Sequence, residues 1–396
     1  MKRTWLWGAL GAVALVPLGF GGWLMSLPPA PPPMTAAAIS ADEEAAALAA
    51  LKPIKRVRPV IAVLGANGGT MTETTDYVMP YGILKRADVA EVLALATGPG
   101  TVQLYPALKA EPDTTTAAFD RQYPDGADYV IVPAMSRDDD PAVMAWLKAQ
   151  AGKGAKIVSV CAGAKVTAAA GLLDHRRATT HWFYRTSLPK AHPAVQMVAD
   201  RRFVVDRNVA TTTGITASMP MMLTLVEAIG GRAKAEATAR DLGVAAWDAR
   251  HASAAFRFSR PFAATVAGNT LAVWGHETLG VPLQAGMDEV SLALVADAWS
   301  RTYRSKVTTF AAAAGPVTTR SGLRIRPDET AASWPAGTRV TAGGSPAQAL
   351  DGALAGIGAR YGAATASLVA TQLEYPRRPS GRNVRTVAAS AAAREL

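Results

Sequence analysis

Residues 156–171, KIVSVCAGAKVTAAAG, hold this chain to a narrow set of folds. The apolar run Ile157-Val158-Ser159-Val160 has the length of a buried strand and stops at Cys161, and Ala162-Gly163-Ala164 then open a helical run. The cysteine thus stands at a strand-to-helix turn, the place where α/β enzymes carry nucleophiles. Small residues on both sides permit a sharp turn, and the free N–H groups of a helix start favour an anion such as a thiolate. This geometry predicts a lowered thiol pKa.

The rest of the chain is compatible with such a fold. Its 396 residues suffice for two domains, and 49% hydrophobic with 18% charged residues excludes a disordered protein. A single cysteine excludes intramolecular disulfides and multi-cysteine metal sites. His175, His192, His251 and His276 show no metal-site spacing and read as surface or structural, so neither a metal nor a cofactor is expected. The formal charge of +10 is spread without interleaved aromatics, which argues against nucleic acid as a partner; such a surface also suits anionic lipid head groups.

After Met1-Lys2-Arg3-Thr4, residues 5–27 run for 23 positions without a charge, with tryptophans near both ends. We read residues 1–27 as a membrane anchor, a transmembrane helix with a cytoplasmic N-terminus and everything after residue 27 on the extracytoplasmic side. The competing reading, a cleaved signal peptide, has a shorter apolar core of about 7–15 residues. Residues 28–57, Pro-rich and then Ala/Glu-rich, read as a stalk.

Strands are predicted at 57–64, 91–96, 101–104 and 129–132, helices at 75–87 and 141–151, a hairpin at 203–205 and 209–211, and one long helix at 217–242. The alternation implies α/β architecture with a doubly wound, mainly parallel sheet. Asp138-Asp139-Asp140 before Pro141 suggests a helix cap before it suggests a cation site.

CAG at 161–163, GLLD, ATTH ending at His181 and the upstream TETTD together resemble the ThiJ/PfpI family of the class I glutamine amidotransferase-like superfamily. The similarity covers residues 58–245 and is nearest to the sensor half of GlxA-type AraC-family regulators, through GLLDHRRATTHW. The resemblance implies a flavodoxin-like three-layer sandwich with Cys161 on a nucleophile elbow, His181 approaching it, and a carboxylate, Asp76 with Glu73 in reserve, hydrogen-bonding the thiol. Pro133-Ala134-Met135-Ser136 stands where the family has a Gly-Gly turn, so the implied oxyanion donors are the backbone N–H groups of Ala162 and Met135.

The sequence after residue 245 echoes the first domain. Gly100-Thr101-Val102, Leu108 and Pro112-Asp113 recur as Gly315-Pro316-Val317, Leu323 and Pro327-Asp328, an offset of 215. Gly231, Ala239 and Leu242 recur as Gly362, Ala370 and Leu373, an offset of 131, so the cysteine turn and the TTH segment have no second copy. An offset of 216 relates Met71 and Glu73 to Met287 and Glu289, which puts Leu292 in the place of Asp76. We therefore expect a linker at 246–280, a degenerate second ThiJ/PfpI-like half at 281–375 and a basic tail at 376–396. Partnering is expected as a homodimer or as a pseudo-dimer within the chain. The helix-turn-helix that follows a similar RRP segment in the regulators is not found after Arg377-Arg378-Pro379, which argues against a transcription factor.

Two functions remain open. A cysteine nucleophile would act on a small carbonyl, amide or isonitrile compound in hydrolase or lyase chemistry, with Asp76 and His181 moving protons. Alternatively the chain is a membrane-tethered small-molecule or redox sensor without turnover. For Cys161 the bland alternative is a buried apolar filler; for His181 it is a cap packed beside Trp182.

Overall fold

β-Branched runs form the centre of the computed structural model, which describes residues 19–376. The central sheet contains β1 (Val60–Gly65), β2 (Glu91–Ala96), β3 (Thr114–Thr115), β4 (Tyr129–Val132), β5 (Lys156–Ser159), β6 (Phe203–Asp206) and β7 (Val209–Thr212). Its order is β6-β7-β5-β4-β1-β2-β3, parallel throughout except for the β6–β7 hairpin. This is an α/β fold with a mixed, mostly parallel sheet. Alternation along β1 sends Ile61 and Val63 into one core and Val60, Ala62 and Leu64 into the other, so the sheet is buried on both faces. Each fully buried Val, Leu or Ile side chain contributes roughly 1.5–3 kcal/mol. The chain reverses direction across the sheet between β1 and β4, and the strand ends at that switch point are where α/β sheets bind ligands.

Helices cover the sheet: α1 (Ala41–Leu51), α2 (Thr74–Ala87), α3 (Pro141–Gly152), α4 (Gly163–Ala169), α5 (Ser218–Gly230) and α6 (Arg232–Leu242). Asp140 caps α3 by accepting from Ala142 and Val143 N–H, as its position before Pro141 predicts. The single helix expected over 217–242 is two, because Gly231 takes φ +83° and turns the chain. The expected stalk is also corrected. Leu51 is buried, the Tyr129 hydroxyl donates to the Leu51 carbonyl at 2.5 Å, and Glu43 pairs with Arg201 at 2.7 Å, so α1 is part of the folded domain.

Nor is 246–280 a linker. It contains α7 (Arg260–Leu271) and the first residues of β8 (Glu277–Pro282). A second lobe follows: α8 (Glu289–Ser300), β9 (Ser305–Ala311), β10 (Glu329–Thr330), α9 (Pro346–Tyr361) and α10 (Ala363–Gln372), around the parallel sheet β8-β9-β10. Its Leu279, Val281 and Val290 share one core with Val63, Val92 and α2.

The two lobes repeat each other's backbone bonds 215 positions apart. Asp113 N–H donates to Ala94 O and Ala94 N–H to the Asp113 carboxylate; Asp328 and Thr309 make the same pair of bonds. Leu104 N–H donates to Leu108 O as Thr319 N–H donates to Leu323 O. Short strands at 109–111 and 324–325 join the lobes antiparallel, with Ala110 opposite Ile325, its own counterpart. The contacts are reciprocal as well: Arg301 binds Glu73 at 2.7 Å, and Arg86 binds Asp288 at 3.0 Å, each member 215 positions from its equivalent. Residue i meeting j while j′ meets i′ is the pattern of a two-fold interface. Glu73 caps α2 by accepting from Asp76 N–H, and Asp288 caps α8 by accepting from Ser291 N–H. The counterpart of Asp76 is therefore Ser291, not Leu292, because the cap fixes the helix start one residue earlier.

The transmembrane expectation over 5–27 lies mostly outside the described residues; residues 19–26 are helical. Among the described residues no helix is long and apolar enough to cross a membrane. The tail from residue 377 on also lies outside them.

Candidate active site

Cys161 follows β5 and precedes α4, as the sequence predicts, with φ +57°. A left-handed conformation costs a non-glycine residue roughly 1–2 kcal/mol, and two threonines hold it there. Cys161 N–H donates to Thr212 Oγ1 at 3.0 Å, and Thr180 Oγ1 donates to Cys161 O at 3.1 Å. Gly163 must be glycine: a Cβ there would lie 2.0 Å from Val132 O, so the turn packs directly on the end of β4. The thiol is buried, with the residue 6% exposed.

Asp76 comes to this point from the first turn of α2. Its Oδ2 accepts from Ala134 N–H at 3.1 Å, while its Oδ1 is buried and has no hydrogen-bond partner among the described residues. Burial pushes its pKa up to about 7, against the Ala134 hydrogen bond and the Arg301 charge. Glu73 stands beside it. Its Oε2 accepts from Asp76 N–H at 2.6 Å and from the Thr75 hydroxyl at 2.8 Å, and its Oε1 accepts from Arg301 Nη2 at 2.7 Å. Burial, then Asp76 and Asp297, raise Glu73, and burial raises Asp297. Three buried carboxyls thus face one guanidinium, whose charge survives burial through Asp297 and Glu73.

The thiol pKa runs opposite to expectation. Burial raises it first, and the charges of Asp76, Glu73 and Glu374 raise it further; only the Ala162 N–H works downward. One helix-start N–H does not outweigh desolvation together with carboxylates.

His181 does not reach the thiol as expected. Its Nε2 is 2.8 Å from Gln372 O, its Nδ1 accepts from Phe183 N–H at 3.3 Å, and it caps the short helix Trp182–Tyr184. Both ring nitrogens are engaged, and burial lowers its pKa. Of the implied oxyanion donors, Ala162 sits directly after the cysteine, and Met135 lies in the turn after β4, bridged to Thr72. Ala134 N–H, next to it, is taken by Asp76.

The second lobe closes the site, which sequence reasoning missed. Arg301 and Asp297 come from the end of α8, and Gln372 and Glu374 from the end of α10. Glu374 accepts from Trp182 N–H at 2.5 Å, and His251, stacked on Phe256, lies 3.2 Å from its other oxygen. Burial works upward on Glu374, but His251 and His181 hold it down at about 2. One signal was present in the sequence: Glu374 stands 131 positions after Gly243, and both are left-handed after the closing helix. A cavity of about 750 Å³ between α1, the β6–β7 hairpin and Trp247 is remote from these residues. Among the described residues no cluster of metal-ligating side chains is found.

Residues 61–228 match the model of the DJ-1/PfpI family, and this part of the chain is a DJ-1/PfpI (ThiJ) family domain. The chain is 40% identical over 93 residues to an isonitrile hydratase of Pseudomonas putida, covering 24% of this chain and 40% of that one. It is 41% identical over 87 residues to the HTH-type transcriptional regulator GbdR of Pseudomonas aeruginosa, covering 22% of this chain and 23% of that one. It therefore spans less than half the length of either relative. Among solved structures, a DJ-1 superfamily protein of Salmonella typhimurium is 26% identical, with a TM-score of 0.41 over 47% of this chain and 98% of that one.

Proposed function

We propose that the chain is a membrane-anchored, cysteine-dependent enzyme of hydrolase or lyase type, acting on a small carbonyl, amide or isonitrile compound. The observation that carries this reading is the buried, unpartnered Oδ1 of Asp76 beside a buried thiol. Two negative charges are not tolerated together there, so the thiol keeps its proton while Asp76 is ionised. As sulfur bonds to the electrophilic carbon, its proton passes to Asp76, whose pKa of about 7 suits both taking and returning it. On an isonitrile the proton returns from Asp76 to the former isonitrile carbon, and water adds to the resulting thioimidate and expels the thiol to leave a formamide; on an amide the proton goes to the departing amine before water releases the acyl group from sulfur. Ala162 and Met135 N–H groups receive the developing negative charge, and the Nε2 proton of His181 is held by the Gln372 carbonyl. The similarity to an isonitrile hydratase supports an isonitrile among the candidates.

Residues 277–375 are, in this reading, a second and shortened ThiJ/PfpI-like half in the place of a partner subunit, supported by the constant offset and the reciprocal ion pairs. Anchored through residues 5–27, both lobes lie on the extracytoplasmic side. The test is turnover of small isonitriles, amides and dicarbonyls by the full chain in detergent. Turnover that is lost in Cys161→Ser sustains the enzyme; no turnover of any class by the wild type removes it.

The alternative is a small-molecule or redox sensor, favoured by one observation: the second lobe seals the thiol. A compound that raises the melting temperature without being consumed would establish that reading.

A further inference from the structure

Helix α7 and the turn after it carry no charged side chain from Pro261 to Gly275, PFAATVAGNTLAVWG. Ala263 and Asn269 face inward, with the Asn269 amide donating to Thr302 O and Thr365 Oγ1. Pro261, Ala264, Gly268 and Leu271 form an outward stripe at helical spacing. The stripe runs into Leu271, Val273 and Trp274, which are 72%, 66% and 87% exposed. Singly exposed apolar residues need no explanation, but a contiguous uncharged face ending in a tryptophan does.

The start of the same helix receives the N-terminal apolar run. Arg260 donates to the carbonyls of Met25 at 2.9 Å, Leu27 at 3.2 Å and Pro28 at 2.8 Å, and Arg257 donates to Pro29 O at 3.1 Å. The rings of Trp23 and Phe258 are 6.3 Å apart. The rim of the far end is basic: Arg304 Nε lies 3.3 Å from Gly275 O and Lys306 is exposed, while the neighbouring carboxylate Glu277 is occupied by Arg360 and Tyr361.

We propose that this face lies on the surface of an anionic lipid bilayer, with α7 in the interface plane, Trp274 among the head groups and Arg304 and Lys306 at the phosphates. The occupant follows from continuity, since a 23-residue uncharged segment is fastened to the helix that bears the patch. Apolar residues on one helix face, a tryptophan and flanking cations form the pattern of an interfacial helix. The lobes are then held against the membrane instead of swinging on a stalk. The contact extends toward the site, because Phe262 of α7 packs on Trp182, 5.6 Å between ring centroids, and Trp182 binds Glu374.

The inference draws on the reading of residues 5–27 as an anchor, and its test separates the two. The full chain carrying Cys161→Ser with either Trp274→Cys or the exposed-site control Lys148→Cys is labelled with an environment-sensitive fluorophore. It is then mixed with vesicles of phosphatidylcholine and phosphatidylglycerol. Quenching by nitroxide lipids should be at least roughly twofold stronger at 274 than at 148, and weaker again when phosphatidylglycerol is omitted. Equal quenching at both positions overturns the proposal even if the chain resists carbonate extraction, which tests the anchor alone. A label at 274 shielded from aqueous quencher but untouched by nitroxide lipid overturns it in favour of a second copy of the chain. Stronger quenching at 274 in a chain that carbonate removes sustains the face and sinks the anchor.

Discussion

The first lobe and the second make matching bonds 215 positions apart and put them to different uses. Where α2 begins with Glu73 and Asp76, α8 begins with Asp288 and Ser291, so both helices are capped but only α2 carries a carboxyl three residues after its cap, where its charge acts on the thiol. At the opposite ends, Arg86 and Arg301 reach across to each other's caps. The symmetry then breaks. Gly82 lets the helices approach, whereas its counterpart 215 positions on is Asp297, which holds Arg301 over the thiol site. The position of Gly243 becomes Glu374, which borders the thiol. Among the described residues the second lobe shows no elbow of its own and instead supplies walls of the first lobe's site.

The largest difference should appear at the paired helix starts. Asp76→Asn lowers turnover by roughly 10²–10⁴-fold, while Ser291→Ala leaves it unchanged. The same contrast is readable without a substrate. The Asp76 charge is one of the causes that raise the thiol, so alkylation of Cys161 should set in at lower pH in Asp76→Asn than in the wild type. If Asp76→Asn leaves the profile in place, Asp76 does not act on the thiol.

Next come the reciprocal arginines. Arg301→Met strands Glu73 and Asp297 without a cation, and Arg86→Met does so to Glu289, which is fully buried; each should cost about 3–5 kcal/mol in urea unfolding. Only Arg301→Lys should also shift the alkylation profile, since Arg86 borders no thiol. Equal shifts from Arg86→Lys and Arg301→Lys would break the distinction between clamp and site.

A smaller loss is expected at the helix crossing. A Cβ at Gly82 would meet the Glu289 carboxylate at 2.5 Å and Val290 at 2.8 Å, so Gly82→Ala should destabilise by roughly 1–3 kcal/mol through overpacking. An unchanged midpoint would mean that the lobes separate easily.

The smallest effect depends on pH. Asp76 has an ordinary value of 3.8 and a folded value of about 7, so the folded state favours the protonated form. Stability from this group is full below 3.8 and is lost as pH rises through about 7. Asp76→Asn should therefore be more stable than wild type at pH 8 and match it near pH 4, as thermal unfolding would read out. A difference that grows toward acid would reverse the assignment.

The amino-acid sequence by itself determined the local elements and their order. Alternating apolar residues fixed the strands, Asp140 before Pro141 fixed a cap, and the Cys161 turn needed only small neighbours. It also carried the offset of 215, although the cap of α8 had to be seen before Ser291, not Leu292, took the place of Asp76. The single helix over 217–242 failed locally, at Gly231, because periodicity on both sides hid a backbone turn. What only the tertiary structure decided concerns partners far apart in the chain. His181 chose the Gln372 carbonyl over the thiol, α1 chose the sheet over solvent, and Arg301 chose Glu73. The direction of the Cys161 pKa belongs to the same group, because desolvation and the charges of Asp76, Glu73 and Glu374 exist only once two lobes have packed.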